Sequence, residues 1–322
     1  MIFSNRIGSK VLESPKTRLY EDFILIRIAP NTFSSRILVE ILDPSNMVFN
    51  CFFGNNQEGW ASGRTFGNGF GSLGTGDVLK IFGFSEDWDR VHSVRLGSLA
   101  VINLEYLLNC QNLSSLESWI DIDEYNSSSF SFANFSQPRE LELNVVEYQA
   151  YVENRYFQSS PVKDFNLADI GQLQQLERLR LTLNLGIRFI DLSPLGNLVN
   201  LIYLEIFDDQ GVVSINPLSS LSNLEEFRVN LREANGRVDF SQMTNLSYVG
   251  IAGMERATVA DIDFMMQTLY QGSVNNSATG KTLFIRNLRV DPSGNRGDFL
   301  SSGTGQGYIT GLIDDYGWVV IQ

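Results

Sequence analysis

Apolar residues recur with the same spacing at four places in the second half of the chain. Each copy has apolar residues at three-residue steps, followed by a single two-residue step. The three-residue steps place one apolar edge along a helical or 3₁₀ turn, and the final alternation is typical of a short strand. The pattern therefore predicts a repeated unit of turn and strand. The copies are residues 170–181 (IGQLQQLERLRL), 195–206 (LGNLVNLIYLEI), 218–229 (LSSLSNLEEFRV) and 240–251 (FSQMTNLSYVGI).

Weaker copies extend this ladder when the first apolar residue of each strand is taken as an anchor. One unit cannot bury its apolar edge alone, but stacked units can, and their strands then form a parallel sheet. The longest step contains a predicted insertion over residues 148–163, and the last two steps contain predicted capping helices at about 259–271 and 305–316. The anchors are Val94, Leu116, Leu141, Leu179, Leu204, Phe227, Val249, Leu283 and Val319.

At these residues the chain resembles the leucine-rich-repeat proteins, and its N-L-x-x-L-x-L pattern is closest to the bacterial internalin-like class. The resemblance implies an α/β leucine-rich-repeat solenoid over residues 91–322, with the parallel sheet on its concave side and helical capping repeats at the C-terminal end. The ending at residues 311–322 (GLIDDYGWVVIQ) also resembles repeat modules of phage tail proteins and bacterial surface proteins. Such modules are usually not catalytic.

The N-terminal region does not share the repeat. Strand-like runs at residues 23–28, 37–42, 47–52 and 78–82 are separated by Pro, Asn, Ser and Gly. Such runs predict a small antiparallel β domain over residues 1–90. Its position before the repeats resembles the immunoglobulin-like sandwich that precedes repeats in some surface proteins.

Charge and hydropathy exclude several classes of function. The formal net charge of −13 argues against binding to nucleic acid or to anionic lipid through a basic surface. No apolar run approaches the roughly 20 residues that a membrane helix needs, so membrane insertion is not predicted. The first residues lack the apolar core of a signal peptide, which predicts a protein that does not use the general secretory route.

The scarcity of cysteine and histidine restricts the chemistry further. Cys51 and Cys110 are far apart with no C-x-x-C pair, so we predict two core thiols and neither a cysteine zinc site nor a disulfide framework. His92 is the one histidine, and it lies close to the first anchor as a predicted rim or packing residue. No cofactor is predicted. Catalysis by two carboxylates remains open, which leaves a glycan hydrolase as an alternative.

Two loops carry suggestive residues. The run at residues 69–74 (GFGSLG) has the G-x-G-x-x-G spacing, but a strand-like run follows where a dinucleotide site needs a helix. A turn is therefore predicted, with Trp60, Phe66 and Phe70 forming a possible docking loop. Acidic residues cluster at 87–89 and 121–124 without the spacing of a calcium loop, so solvated loops are predicted and no metal site.

The strands provide the best candidate site. Side chains alternate along a strand, so residues between the buried anchors point to the concave face. Register then predicts that Arg180, Glu205 and Arg228 stand side by side. Cross-strand ion pairs would explain their alternating charge, whereas aromatic residues in the flanking columns indicate a recognition face unless insertions cover them. The candidate ligand-binding residues are Arg180, Tyr203, Glu205, Phe207, Arg228 and Tyr248.

Together these patterns predict a non-enzymatic structural or binding protein. The C-terminal module favours a component of the phage virion, in the tail or on the surface, that engages a protein or glycan through its repeat face or loops. Other virion proteins are then predicted partners, and a homo-oligomer is left open. The alternative is a bacterial surface adhesin of the internalin-like class, and the second alternative is the carboxylate-dependent glycan hydrolase.

Overall fold

The computed structural model describes most of the repeat region. The described residues lie between 113 and 146, between 163 and 290, and between 303 and 321, with short gaps inside these ranges. Residues 296–297 and the backbones of strands between residues 22 and 102 are described as well. Among the described residues, no helix is long and apolar enough to cross a lipid bilayer.

The strands before residue 113 pair mainly in antiparallel fashion. β1 pairs with β5 and β7, β3 pairs with β4 and β5, and β2 pairs with β6, all antiparallel. The separate β-sandwich-like domain predicted for residues 1–90 stays a prediction, as does the boundary at residue 91. These strands are β1 (Asp22–Ile28), β2 (Val39–Ile41), β3 (Val48–Phe53), β4 (Glu58–Ser62), β5 (Val78–Gly83), β6 (Ser93–Leu96) and β7 (Ala100–Ile102).

The later strands and helices form the repeat units. The strands are β8 (Ser115–Asp121), β9 (Glu140–Val146), β10 (Lys163–Asp164), β11 (Arg178–Leu183), β12 (Ile187–Phe189), β13 (Tyr203–Asp208), β14 (Glu226–Leu231), β15 (Tyr248–Ala252), β16 (Thr282–Arg286), β17 (Arg289–Val290), β18 (Arg296–Gly297) and β19 (Val319–Ile321). The helices are α1 (Val259–Ser273) and α2 (Gly303–Tyr316), and 3₁₀ turns lie at Phe132–Asn134, Ile170–Gln172, Ser193–Asn197 and Asn216–Ser220.

Eight of these strands form one parallel sheet in the order β8-β9-β11-β13-β14-β15-β16-β19. At its other end, β6 and β7 are both parallel to β8, and β7 links the sheet to the antiparallel strands through β1. A parallel sheet built from stacked turn-and-strand units is the leucine-rich-repeat-like solenoid that the spacing predicts. The capping helices predicted near residues 259–271 and 305–316 are confirmed as α1 and α2.

The register confirms the anchors up to the last one. Val94, Leu116, Leu141, Leu179, Leu204, Phe227, Val249 and Leu283 lie opposite one another across successive strands. The final anchor was wrong by one residue, because Val320 and not Val319 lies opposite Leu283. Val319 is exposed, whereas the preceding Trp318 is buried, so the inward positions of this strand are 318 and 320.

Side-chain amides connect successive repeats on the side of the turns. Asn200 Nδ2 donates to the carbonyl oxygen of Gln174 at 2.8 Å, and Asn223 Nδ2 donates to that of Val199 at 2.7 Å. Each asparagine satisfies a carbonyl of the preceding repeat that has no strand partner where the chain turns. The asparagine of the N-L-x-x-L-x-L pattern therefore holds neighbouring repeats together.

The C-terminal cap is held by a buried tryptophan. Trp318 is 2% exposed, and its Nε1 donates to Ser273 Oγ at 3.0 Å, while Ser273 Oγ donates to the carbonyl oxygen of Leu269 at 2.8 Å. The start of α1 is fixed by a capping box between Thr258 and Asp261. The strand after α2 is thus tied to the end of α1.

Candidate ligand-binding face

Every second side chain of the parallel strands points away from the core. We call the resulting surface on strands β9, β11, β13, β14 and β15 the open face. Its central column places Glu142, Arg180, Glu205, Arg228 and Gly250 opposite one another across successive strands, as predicted. The open face also includes Arg178, Thr182, Tyr203, Phe207, Glu226, Asn230 and Tyr248.

Arg180 bridges two carboxylates of the central column. Its Nη1 lies 3.0 Å from Glu142 Oε1, and its Nε lies 3.2 Å from Glu205 Oε2. The arginine side chain is 47% exposed, so solvent screens both pairs. These are the cross-strand ion pairs predicted from the alternating charges, and each contributes at most about 1 kcal/mol.

Arg228 does not repeat this arrangement. Its Nη2 and Nε lie 2.7 Å and 3.2 Å from Glu226 Oε2, a carboxylate on its own strand. Glu205, the expected cross-strand partner, instead accepts a hydrogen bond from the hydroxyl of Tyr203. The prediction that Glu205 bonds to arginines on both sides is therefore only half correct, although the register behind it is right.

Two tyrosines and two arginines form a stack across four strands. The guanidinium carbon of Arg178 lies 4.3 Å from the ring centroid of Tyr203. The guanidinium carbon of Arg228 lies 5.7 Å from the ring centroid of Tyr203 and 4.1 Å from that of Tyr248. All three distances lie within the range of cation–π attraction. The stack Arg178–Tyr203–Arg228–Tyr248 therefore holds these four side chains in defined positions on the open face.

The hydroxyl of Tyr203 is held in its protonated form. Burial raises the pKa of Tyr203 to about 12, and the hydrogen bond to Glu205 contributes to the increase. Tyr203 thus donates to Glu205 throughout the neutral pH range. Its ring is thereby fixed on one edge by Glu205 and on its faces by arginines from the strands on either side.

Gly250 makes room for the last ring of the stack. A Cβ atom at this position would lie 2.9 Å from Cε1 of Tyr248, so the tyrosine ring lies over the glycine. The backbone of Gly250 is ordinary strand with no positive φ. The absence of a side chain therefore serves the placement of Tyr248, because a strand backbone of this kind accepts any residue.

Phe207 extends the open face beyond the stack. It is 39% exposed on β13, four residues after Tyr203, with Thr182 and Asn230 opposite it on the neighbouring strands. A half-exposed phenylalanine at this position adds apolar contact area beside the charged column. The structure thus places all six predicted residues on one surface.

Sequence reasoning missed Arg178. It occupies the first position of β11, in the same column as Tyr203. The anchors Leu179 and Leu204 could have predicted its position, because aligning them also places Arg178 and Tyr203, the residues just before them, side by side.

The other predicted sites lie largely outside the described residues. Phe66, Phe70, His92, Cys110 and the run at 69–74 are not described. The backbone of Trp60 lies on β4 and that of Cys51 on β3. The solvated loop predicted at 121–124 was wrong at Asp121, which is buried as the last residue of strand β8. Residues 87–89 and 123–124 are outside the description. Within the described part of the chain, no three His, Cys, Asp or Glu side chains are grouped so as to hold a metal ion.

The ion pairs of the central column give a first testable prediction. We expect a double-mutant cycle of Arg180→Gln and Glu205→Gln to show a coupling of about 0.2 to 1 kcal/mol in the free energy of unfolding, decreasing with added salt. Urea unfolding of the four proteins measures it. The same cycle for Arg228 and Glu205 serves as a control and should give a smaller coupling. Equal couplings in the two cycles would contradict the observed pairing.

Comparison with known proteins adds only a general likeness. No protein-family model matches the chain, and no curated protein matches it. Among solved structures, the chain is similar to internalin C2 of Listeria monocytogenes, with 16% identity, a TM-score of 0.42, and coverage of 74% of this chain and 84% of that one.

Two further structures show weaker similarity. The Listeria monocytogenes internalin inlF has 14% identity and a TM-score of 0.22, with coverage of 69% of this chain and 90% of that one. A leucine-rich-repeat protein of Leptospira interrogans has 10% identity and a TM-score of 0.27, with coverage of 67% and 62%. At these scores, the assignment of a leucine-rich-repeat-like fold rests on the strand register and the repeated turns of this chain.

Proposed function

We propose that the protein is a non-enzymatic recognition protein that binds a protein ligand through the open face. The observation that carries the proposal is the stack of Arg178, Tyr203, Arg228 and Tyr248 across four strands. Tyrosine and arginine are among the residue types that contribute most to binding at protein interfaces. Here they alternate on a surface where Arg178 is exposed and Tyr203, Arg228 and Tyr248 are half-buried.

The stack is also organised before any ligand arrives. Tyr203 is held by Glu205 and by two guanidinium groups, and Arg228 is held by Glu226 and two rings. Long side chains that are already ordered lose less conformational entropy on binding. For the same contact area, this surface should therefore bind a ligand more tightly than a surface of freely rotating side chains.

The placement of the arginines favours a protein over a glycan. Sugar rings commonly pack against exposed faces of aromatic side chains. Arginines from the strands on both sides lie over the ring of Tyr203, and Arg228 also lies over the ring of Tyr248. A ligand therefore meets guanidinium groups, ring edges and the half-exposed Phe207 more readily than open ring faces. This is the mixed surface that side chains of a protein partner can match.

The arrangement of carboxylates supports the non-enzymatic part of the proposal. A glycan hydrolase places its substrate between two carboxylates. Glu142 and Glu205 flank one position of the open face, but the guanidinium of Arg180 fills the space between them. Among the described residues of this face, Glu226 is likewise bonded to Arg228.

We do not propose that the protein is part of a phage particle. The predicted role as a virion component gains no support from the described residues or from the comparisons, and neither do the virion partners. Attachment at a bacterial cell surface is the setting that we propose to examine first, by locating the tagged protein in fractionated cells of its source. Recovery in purified particles instead would restore the virion setting and leave the proposed binding face unchanged.

Selection from a displayed library of random peptides tests the proposed function. A glycan array, run in parallel, tests whether the protein binds glycans instead. We expect peptides that bind the wild-type protein to lose at least about tenfold in affinity on the double variant Tyr203→Ala and Tyr248→Ala, because the stack is removed. Val199→Ala is the control, since Val199 is exposed in the turn before β13 and lies off the open face. Failure to select any peptide, or binding only to glycans, would contradict the proposal.

A further inference from the structure

The three arginines of the open face differ in the partners that their guanidinium groups contact. Arg180 is bonded to two carboxylates, and Arg228 makes two hydrogen bonds to one carboxylate. Among the described residues, the side chain of Arg178 contacts the ring of Tyr203, with its guanidinium carbon 4.3 Å from the ring centroid, and makes no hydrogen bond. In the part of the chain that the structure describes, no carboxylate lies within salt-bridge distance of Arg178, although Glu140 is its neighbour across the strands.

This difference leaves the N–H groups of one guanidinium available. A guanidinium group carries five N–H donors in a rigid, planar fork and stays charged at every physiological pH. Contact with an aromatic ring uses the face of the group, whereas hydrogen bonds use its edges. Arg178 is exposed at the end of the stack, so its edges are accessible from outside while its position is restrained by Tyr203.

We propose that Arg178 anchors an acidic side chain of the protein ligand, the carboxylate of an aspartate or a glutamate. The fork of a guanidinium matches the two oxygens of a carboxylate, and hydrogen bonds between ionised groups are stronger than those between neutral ones. The inference rests on the proposed function, because it names the chemistry that the open face selects. Arg180 and Arg228 keep their intramolecular partners, and Arg178 supplies the unpaired positive charge.

Neighbouring groups define where the rest of the ligand lies. From Arg178 the stack runs across the sheet to Tyr248, and Phe207 lies four residues along β13 from Tyr203. At about 3.3 Å per residue, Phe207 is roughly 13 Å from Tyr203 along the strand. A peptide segment of a few residues spans that distance. The ligand is thus expected to carry an acidic residue at one end and an apolar residue that reaches Phe207.

The test uses the full chain and peptides selected from the random displayed library. We expect the selected peptides to contain an acidic residue whose change to the corresponding amide weakens binding about 10- to 100-fold. Arg178→Gln should weaken the unchanged peptide by a similar factor, and Arg178→Lys should recover only part of the affinity because the fork is absent. On the Arg178→Gln protein, the amide change in the peptide should have little further effect.

Arg237→Gln is the matched control variant. The guanidinium of Arg237 also lies over an aromatic ring, at 4.1 Å from the centroid of Phe264 on α1, but it is off the open face. This variant should bind the peptides as wild type does. Thermal unfolding of each variant reports whether the fold is kept.

The outcomes separate this inference from the proposed function. Peptides that depend on Tyr203 and Tyr248 but bind Arg178→Gln unchanged, or that contain no acidic residue, would overturn the role of Arg178 and leave the open face as the binding site. The same holds if Arg237→Gln weakens binding as much as Arg178→Gln. If no peptide is selected, or if only glycans bind, both proposals fail.

Discussion

Leu204→Ala is expected to lower the free energy of unfolding by about 2 to 5 kcal/mol. The side chain is 0% exposed and lies between Leu179 and Phe227 of the neighbouring strands. Those neighbours belong to separate repeats that are held in register on both sides, so they can move little to fill the cavity. Urea unfolding followed by circular dichroism measures the change, and the melting temperature should fall with it.

Val199→Ala provides the control for this cavity. It removes two methyl groups from the same repeat, but Val199 is 47% exposed in the turn before β13. Its effect should stay within about 0.5 kcal/mol. If Leu204→Ala proved as mild as Val199→Ala, the assignment of position 204 to the core would be wrong.

The second large effect is expected at two helical glycines, where substitution by alanine should change the free energy of unfolding in opposite directions. Gly272 lies at the end of α1, where an added Cβ would overlap the carbonyl oxygen of Phe240. We expect Gly272→Ala to destabilise the protein by about 1 to 3 kcal/mol, because the helix must move away from the preceding repeat. The gain in helix propensity, up to about 1 kcal/mol, offsets only part of this loss.

Gly307 gives the matched substitution in the other helix. It is exposed within α2, and an added Cβ would have no neighbour within 4 Å. Gly307→Ala should therefore stabilise the protein by about 0.5 to 1 kcal/mol through helix propensity alone. Thermal and urea unfolding of both variants would show opposite shifts. Stabilisation by both substitutions would mean that the contact between α1 and Phe240 is not tight, and destabilisation by both would mean that position 307 is not open to solvent.

The spacing of apolar residues was sufficient to predict the register of the sheet. The predicted register remained correct between Leu141 and Leu179 despite the predicted insertion. A shift by one residue would turn the buried leucines to the outward face, so the alternation of apolar residues excludes it. The prediction from apolar spacing failed at the last strand, because residues 318–321 (WVVI) are apolar at every position and do not alternate with polar ones. There the burial of Trp318 and its hydrogen bond to Ser273 decide which residues face inward.

The side-chain contacts of the open face were less predictable. Register showed which residues are neighbours, but several partners lie within reach of each arginine. Arg228 bonds to Glu226 and lies between two tyrosine rings, while Glu205 accepts a hydrogen bond from Tyr203. These choices depend on rotamers and on the space above Gly250, neither of which the alternation of apolar and polar residues encodes.

The stack also has a consequence for how such a protein can change over generations. Each of its four members comes from a different repeat, on β11, β13, β14 and β15. Stability depends on the inward positions of those strands, and the stack depends on the outward ones. Duplication, loss or exchange of a whole repeat would keep leucines opposite leucines while bringing new outward residues side by side. Such rearrangement could renew the binding surface in a single genetic step without rebuilding the core.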